Sequence, residues 1–240
     1  MMTIPWPWEV NAAITPSLAV LSVGMRIGWA LVLGALSVSV LHMFSITTRR
    51  AVAFAIVVMC LIPTEWSPSW WLGLAFQTPS LVLQGLCGLY LYRHSQARLP
   101  NTVSPTYSTI VSAPASWPLR LLVVAIVAGW LLALDTFAFF DFALYSIGFT
   151  PHAVLASLFF ACLLQLISTR SGHIPSTQHY RDLALIVLVS TLVHLLWRLP
   201  SGNVWDALLD PWLWIMAHGL AASALIKKFI GNQRRAKAIN

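Results

Sequence analysis

Long apolar runs, separated by short polar stretches, make up most of this chain. An α-helix needs about 20 apolar residues to cross the hydrocarbon core of a bilayer, and shorter runs suffice where basic residues can reach the interface. This pattern predicts an all-α, polytopic membrane helical bundle of about seven transmembrane helices. The predicted spans cover residues 18–46, 50–65, 70–92, 119–135, 142–168, 183–199 and 211–230.

Four of the predicted helices begin after the same kind of dipeptide, namely Thr15-Pro16, Thr78-Pro79, Thr150-Pro151 and Asp210-Pro211. A Thr or Asp side chain can cap a helix by accepting a hydrogen bond, and proline at the first helical position removes only a donor that has no helical partner. We interpret these starts as four local capping signals rather than as the trace of an internal duplication.

Charged residues are distributed unequally over the two sides of the predicted bundle. Because loops rich in Lys and Arg stay in the cytoplasm, we expect the amino terminus outside, the carboxyl terminus inside and a tryptophan belt at the outer interface. Arg198 is the clear basic exception. The predicted cytoplasmic basic residues are Arg49, Arg50, Arg93, Arg98, Arg120, Arg170, Arg181, Lys227, Lys228, Arg234, Arg235 and Lys237, and the outer acidic residues are Glu9, Glu65, Asp135, Asp141, Asp206 and Asp210.

The one long polar stretch covers residues 93–118 and is rich in Pro, Ser and Thr, which predicts a cytoplasmic loop. Another predicted cytoplasmic loop carries His173 and His179, which we expect to be solvated. Neither loop is long enough for a soluble catalytic core. Residues 1–240 are therefore interpreted as a single transmembrane helical domain.

Composition supports a membrane protein. Hydrophobic residues make up 58% of the 240 residues and charged residues only 9%, whereas a soluble domain carries about 25% charged residues. The lipid bilayer is thus the expected partner, and the cytoplasmic loops account for the net charge of +7 without nucleic acid. No basic residue precedes Arg26, so we expect no cleaved signal peptide and a multi-pass protein of the cell inner membrane.

The sequence carries no motif typical of an enzyme. A glycine-rich phosphate loop, a CxxC pair and an HExxH helix are all missing from it, and its three cysteines lie in apolar runs without a disulfide framework. Ser146, Thr150 and His152 are close in sequence, but nothing orients them as a nucleophile with its base. We therefore do not expect catalysis.

Three histidines occur towards the outer ends of the last three predicted spans: His152, His194 and His218. Short connections between these spans predict that the three imidazoles approach one another within the outer leaflet. Met216 and Cys60 lie at compatible depths, and thioether or thiolate ligands together with imidazole favour Cu(I). The set therefore predicts a metal site, with hydrogen-bonded packing as the alternative for the histidines and core packing as the alternative for each sulfur.

Four further charged residues are candidates for a site at the outer surface. Arg26 lies within the first span, and we expect it at the outer membrane boundary because that span is longer than the bilayer core. Arg198 is expected to pair with Asp206 across a short loop. Asp210 is expected to cap the last span, and the acidic residues can also attract a cation or a basic partner.

A set of short motifs lies in the carboxyl-terminal part, over about residues 70–225: Arg120, Phe149 with His152, Trp197 with Pro200, and Pro211 with His218. With these motifs the chain resembles the CtaG-type cytochrome c oxidase assembly membrane proteins, a family associated with copper supply to the oxidase. Ala156 and Arg198 stand where that family has histidine. The resemblance implies a helical membrane fold, oxidase subunits as partners and copper as the metal.

The sequence therefore predicts an inner-membrane protein that assists assembly or copper supply of a respiratory oxidase. One alternative is a small transporter or permease subunit that uses the polar outer surface and Arg26 for entry. Another is a b-type cytochrome in which two histidines on facing helices are axial ligands of haem.

Overall fold

The computed structural model describes residues 15–96, 117–141, 143–170 and 177–239, with side chains placed up to residue 230. Every regular element in these ranges is a helix. His173 and most of the predicted loop 93–118 lie outside them. The helices are α1 (Leu18–Val40), α2 (Ile46–Leu61), α3 (Pro68–Phe76), α4 (Leu81–Gln96), α5 (Leu119–Thr136), α6 (Leu144–Ile147), α7 (Pro151–Arg170), α8 (Thr177–Trp197), α9 (Val204–Leu208) and α10 (Pro211–Ile239).

Within the described ranges, five helices are long and apolar enough to cross a membrane: α1, α5, α7, α8 from Gln178 onward, and α10 as far as Ile230. The prediction of an all-helical, membrane-embedded protein is thereby confirmed. α2 and α4 have 16 residues each, which corresponds to about 24 Å at 1.5 Å per residue. α2 has the same length as the predicted span 50–65 but begins four residues earlier, and α4 is shorter than the predicted span 70–92.

The predicted span 70–92 is not one continuous helix, so that prediction is wrong. The chain leaves the helical conformation at residues 77–80, between α3 and α4. Pro79 has no N–H to donate, and its ring disfavours the helical conformation at Thr78. Gln77 completes the break with a positive φ of 61°.

The carbonyl groups of this break find partners inside the protein. The indole Nε1 of Trp29 donates to the Gln77 oxygen at 2.8 Å, and Nε2 of Gln84 donates to the Pro79 oxygen at 2.8 Å. Non-helical backbone is tolerated at membrane depth only where protein groups satisfy it. These hydrogen bonds stabilise the break, which is therefore a regular part of the helix packing around α1.

Three of the predicted helix starts show how the caps differ from expectation. Asp210 caps α10 as predicted, because its carboxylate accepts from the backbone N–H three residues ahead at 2.8 Å. α1 and α4 are capped instead by Ser17 and Ser80, whose hydroxyls accept from the N–H three residues ahead at 3.4 and 3.2 Å. These serines lie two residues beyond Thr15 and Thr78, so the predicted threonine caps are wrong.

Glycine permits close packing of the helices. A Cβ at Gly28 of α1 would lie 2.9 Å from Nε2 of Gln84, and a Cβ at Gly34 would lie 2.9 Å from Val57 of α2. Small residues at such contacts are typical of helix packing in membranes. α4, α7, α8 and α10 meet in a buried apolar cluster formed by Val82, Leu83, Ala161, Ile186, Val187 and Leu213.

α5 packs against α10 through a contact between Trp214 of α10 and Gly129 of α5. The Trp214 ring lies directly over Gly129, and its Nε1 donates to the Ile126 oxygen at 3.2 Å. The Trp130 ring meets the Trp214 ring edge to face at 5.0 Å. At the start of α5, Trp117 contacts one apolar cluster shared with α7 and α8 and another shared with α10. α5 therefore connects α10 to the α7–α8 pair.

Candidate functional site

The connection from α8 to α10 is folded around a buried asparagine. Asn203 is fully buried; its amide nitrogen donates to the Tyr145 oxygen at 3.0 Å, and its Oδ1 accepts from the Trp205 backbone N–H at 2.9 Å. The Gly148 oxygen accepts from the Val204 N–H at 2.9 Å. Asn203 and the neighbouring backbone therefore connect α6 to the start of α9.

Asp206 is bound by hydroxyl groups and not by a cation. The Tyr145 hydroxyl donates to Asp206 Oδ2 at 2.6 Å, and the Ser201 hydroxyl donates to the same oxygen. The structure has no ion pair between Asp206 and Arg198, so the predicted pairing is wrong, because these two donors already bind the carboxylate. Burial and the hydrogen bond to Asp206 raise the pKa of Tyr145 above its ordinary range.

Asp210 joins the starts of two helices. One carboxylate oxygen accepts from the Leu213 N–H in α10, and the other accepts from the Ser80 N–H before α4, both at 2.8 Å. Burial raises the pKa of Asp210, and the hydrogen bonds from Ser80 and Leu213 partly oppose that increase. The carboxylate therefore connects parts of the chain that are distant in sequence.

The three candidate histidines lie in different surroundings. His194 is fully buried, with Nδ1 2.9 Å from the Leu199 oxygen and with Nε2 buried and lacking a hydrogen-bond partner among the described residues. His218 is half-buried, with Nδ1 2.9 Å from the Trp214 oxygen of its own helix. His152 is exposed at the second residue of α7.

The predicted meeting of these imidazoles does not occur. In the part of the chain that the structure describes, no three side chains of His, Cys, Asp or Glu are grouped so that they could hold a metal ion. His194 turns to the loop after its own helix, whereas His218 packs against the tryptophan rings between α5 and α10. His194 is therefore oriented by a local hydrogen bond, and His218 by a local hydrogen bond and aromatic packing.

The remaining candidates are also separate. Cys60 is fully buried near the end of α2, where its carbonyl oxygen accepts from the hydroxyls of Ser67 at 3.0 Å and Ser69 at 2.6 Å. Arg26 is half-buried in α1, and its Nε is buried without a hydrogen-bond partner in the described ranges. Met216 is partly exposed and lines a cavity.

This apolar cavity, of about 280 Å³, lies between α4, α5, α7, α8 and α10. Trp205 and Leu209 line it near α9, and Trp117 and Leu220 line it at the start of α5. Ser157 contributes the one hydroxyl in the described lining, and this hydroxyl is engaged with the Thr191 hydroxyl at 3.1 Å. Most of the cavity wall therefore favours an apolar occupant.

His179 lies beside the Trp117 end of the cavity, and the prediction that it is solvated is wrong. It belongs to the first turn of α8 and is only 8% exposed, with its ring centre 5.0 Å from that of Trp117. Leu183 and Val187, four and eight residues further along the helix, line the cavity. That spacing in the sequence is the helical signal that places His179 on the same face, and the Ser-rich and Pro-containing residues before it concealed this signal.

No match to this chain was found among protein-family models, curated proteins or solved structures. The resemblance to CtaG-type proteins therefore stays a prediction from short sequence motifs.

Proposed function

We propose that this chain is a small carrier or permease subunit that holds a lipid-like apolar molecule between its helices. The apolar cavity among α4, α5, α7, α8 and α10 is the observation that carries the proposal. Its volume of about 280 Å³ is close to the lower bound of about 300 Å³ for small-molecule pockets. Met216 belongs to this wall, so one predicted site residue retains a role as an apolar contact.

The shape of the cavity supports this proposal. Val124, Ala156 and Met216 line the cavity and are themselves exposed, so the cavity opens onto the outer surface of the bundle. An apolar opening of this kind admits a molecule with a long apolar chain from the surrounding bilayer.

The proposed protein crosses the membrane seven times, with its amino terminus outside and its carboxyl terminus in the cytoplasm. The five long helices provide five crossings, and α2 and the interrupted α3–α4 segment provide the other two. The distribution of basic residues supports this orientation. In it, Trp117 lies at the cytoplasmic end of the cavity.

Identification of co-purified lipids tests this function. The protein purified in mild detergent is analysed by native mass spectrometry, and its bound molecules are extracted and compared with total membrane lipid. Ala125→Phe and Ala156→Phe place a ring in the cavity, because both alanines line it. We expect each variant to retain roughly tenfold less of the enriched molecule, which corresponds to about 1.4 kcal/mol of binding free energy.

Ala222→Phe is the matched control, because Ala222 is on the exposed face of α10 outside the cavity lining. It should retain the enriched molecule at the level of the unaltered protein. An extract with the composition of bulk membrane lipid, unchanged in the two cavity variants, would show that ordinary acyl chains fill the space. That result would overturn the proposal.

A role in oxidase assembly or copper supply stays a prediction from the sequence, and so does a haem-binding role. The described residues contain no group of three or more His, Cys, Asp or Glu side chains that could hold a metal ion, so no observation favours the copper role over the carrier proposal.

A further inference from the structure

Two arginines lie at the end of the bundle where α1 ends, α2 begins and α4 ends. Arg49 and Arg50 belong to the first two turns of α2. The Arg49 guanidinium donates to the His42 oxygen and, at 2.8 Å, to the Phe44 oxygen. The Arg50 guanidinium donates to the His94 oxygen near the end of α4 at 2.9 Å. These bonds to neutral carbonyl groups hold both positive charges in one place.

The basic cluster at this end consists of four side chains: His42, Arg49, Arg50 and His94. Both arginines act electrostatically on His94. No Asp or Glu occurs in residues 42–50 or 90–96. The carboxylate of Asp182 forms an ion pair at 2.6 Å with Arg93, which is not a member of the cluster. The cluster therefore carries a net positive charge.

Arg49 keeps hydrogen-bond donors for a further acceptor. A guanidinium has five N–H donors in a planar fork that matches phosphate oxygens, and two of those of Arg49 bind the carbonyl oxygens. Its other donors have no partner among the described residues, and its side chain is half-exposed. The start of α2 adds a partial positive charge, because its first turn contains no acidic residue. An anion with phosphate-like oxygens fits this arrangement.

Exposed apolar side chains beside the cluster indicate that a lipid supplies this anion. Met43 is 86% exposed and Phe44 is 56% exposed, and Tyr90 and Tyr92 of α4 are exposed as well. Tyrosine is typical of the level at which acyl chains meet head groups. The Tyr90 ring stacks on the His94 ring, with centres 5.9 Å apart. The cluster therefore lies at the membrane interface, within reach of lipid head groups.

We propose that the basic cluster binds the phosphate of an anionic phospholipid head group. Arg49 donates to the phosphate oxygens, and Arg50 adds charge and holds the start of α2 against the end of α4. Basic pockets between membrane helices bind such head groups on the cytoplasmic side. A zwitterionic head group brings a positive charge of its own, which the arginines repel. None of the four residues lines the apolar cavity, so this site is independent of the proposed carrier function.

Lipid titration of the full chain by native mass spectrometry tests the inference. The protein in mild detergent receives dioleoyl phosphatidylglycerol or dioleoyl phosphatidylcholine, which carry the same acyl chains. We expect the first phosphatidylglycerol to bind roughly 10- to 30-fold more tightly, as for two basic residues near one anionic head group. Soluble glycerol phosphate at the same concentration should not displace it. Displacement would assign the site to a free phosphate compound and overturn the lipid assignment.

Three double variants separate the site from general electrostatics. Arg49→Gln with Arg50→Gln should reduce the preference for phosphatidylglycerol to less than about threefold. Arg49→Lys with Arg50→Lys should retain most of it, because lysine also binds phosphate as a point charge. Lys227→Gln with Lys228→Gln is the matched control, since it removes the same charge at exposed positions of α10. This control should keep the full preference.

Photo-crosslinking of the unaltered protein gives a second measurement that does not depend on how the variants fold. Phosphatidylglycerol with a diazirine beside its glycerol should label peptides covering residues 41–50 and 90–96 more strongly than the matching phosphatidylcholine probe. Equal affinities of the two lipids, an equal loss of preference in the arginine-to-glutamine and lysine-to-glutamine variants, or equal labelling of these peptides by both probes overturns the proposed site.

Discussion

At the scale of single residues, one carboxylate connects the starts of two helices. Asp210 accepts from Ser80 and from Leu213, so Asp210→Ala removes a capping acceptor from both α4 and α10. We expect the free energy of unfolding to fall by about 2 kcal/mol, since loss of one helix cap costs about 0.5–2 kcal/mol. Unfolding in mixed detergent measures the change. Asp141→Ala, at an exposed position, should stay within about 0.5 kcal/mol, and an equal loss in both variants would contradict the capping role.

Burial of Asp210 also makes stability depend on pH. Its pKa in the folded protein is raised above the ordinary value of about 3.9, so the folded state binds the proton at higher pH than the unfolded chain. The resulting stabilisation increases as pH falls through the folded pKa and is absent at higher pH. The unfolding free energy of the protein minus that of Asp210→Asn, which cannot titrate, should therefore increase from about pH 7 to about pH 4. A pH-independent difference would contradict this.

Residue types alone identified some local roles and missed the longer-range ones. The cap by Asp210 followed from Asp before Pro, because this signal is contained in neighbouring residues. Its bond to Ser80 joins residues 130 positions apart, which no local pattern records. The burial of His179 was missed because the Ser-rich and Pro-containing residues before it concealed the helical signal, and because its ring packs against Trp117, which precedes α5.

At the scale of helices, the pairing of α5 with α10 depends on one glycine. A Cβ at Gly129 would overlap the Trp214 ring, whereas a Cβ at Gly219 would meet nothing within 4 Å. Gly129→Ala should therefore destabilise the protein by about 1–3 kcal/mol, as overpacking does. Gly219→Ala should be neutral or stabilising, because alanine favours a helix. Thermal unfolding with intrinsic tryptophan fluorescence compares the two variants, and equal midpoints would contradict the predicted overlap.

Helix formation was predictable at this scale, but helix continuity was not. Apolar runs of span length locate α1, α5, α7, α8 and α10, because each run is long enough to bury its own backbone hydrogen bonds in lipid. The interruption at residues 77–80 is stabilised by Trp29 and Gln84, which lie outside the interrupted segment. The hydrophobic pattern contains the proline but not these partners, so it predicted one span where the chain forms two helices.

The number of membrane crossings belongs to the scale of the whole molecule, and exposed positions at the helix ends can determine it. If α2 and the α3–α4 segment both cross, then Glu65 and Asp141 lie outside, whereas Phe44, Gln96 and Arg170 lie in the cytoplasm. Single cysteines at these exposed positions, in a chain whose native cysteines are replaced by serine, are treated with a membrane-impermeant maleimide. The first two should react in intact cells and the last three only after permeabilisation.

Reaction of Phe44→Cys and Glu65→Cys from the same side would show that α2 does not cross. A complete reversal of the pattern would instead keep seven crossings and invert the orientation.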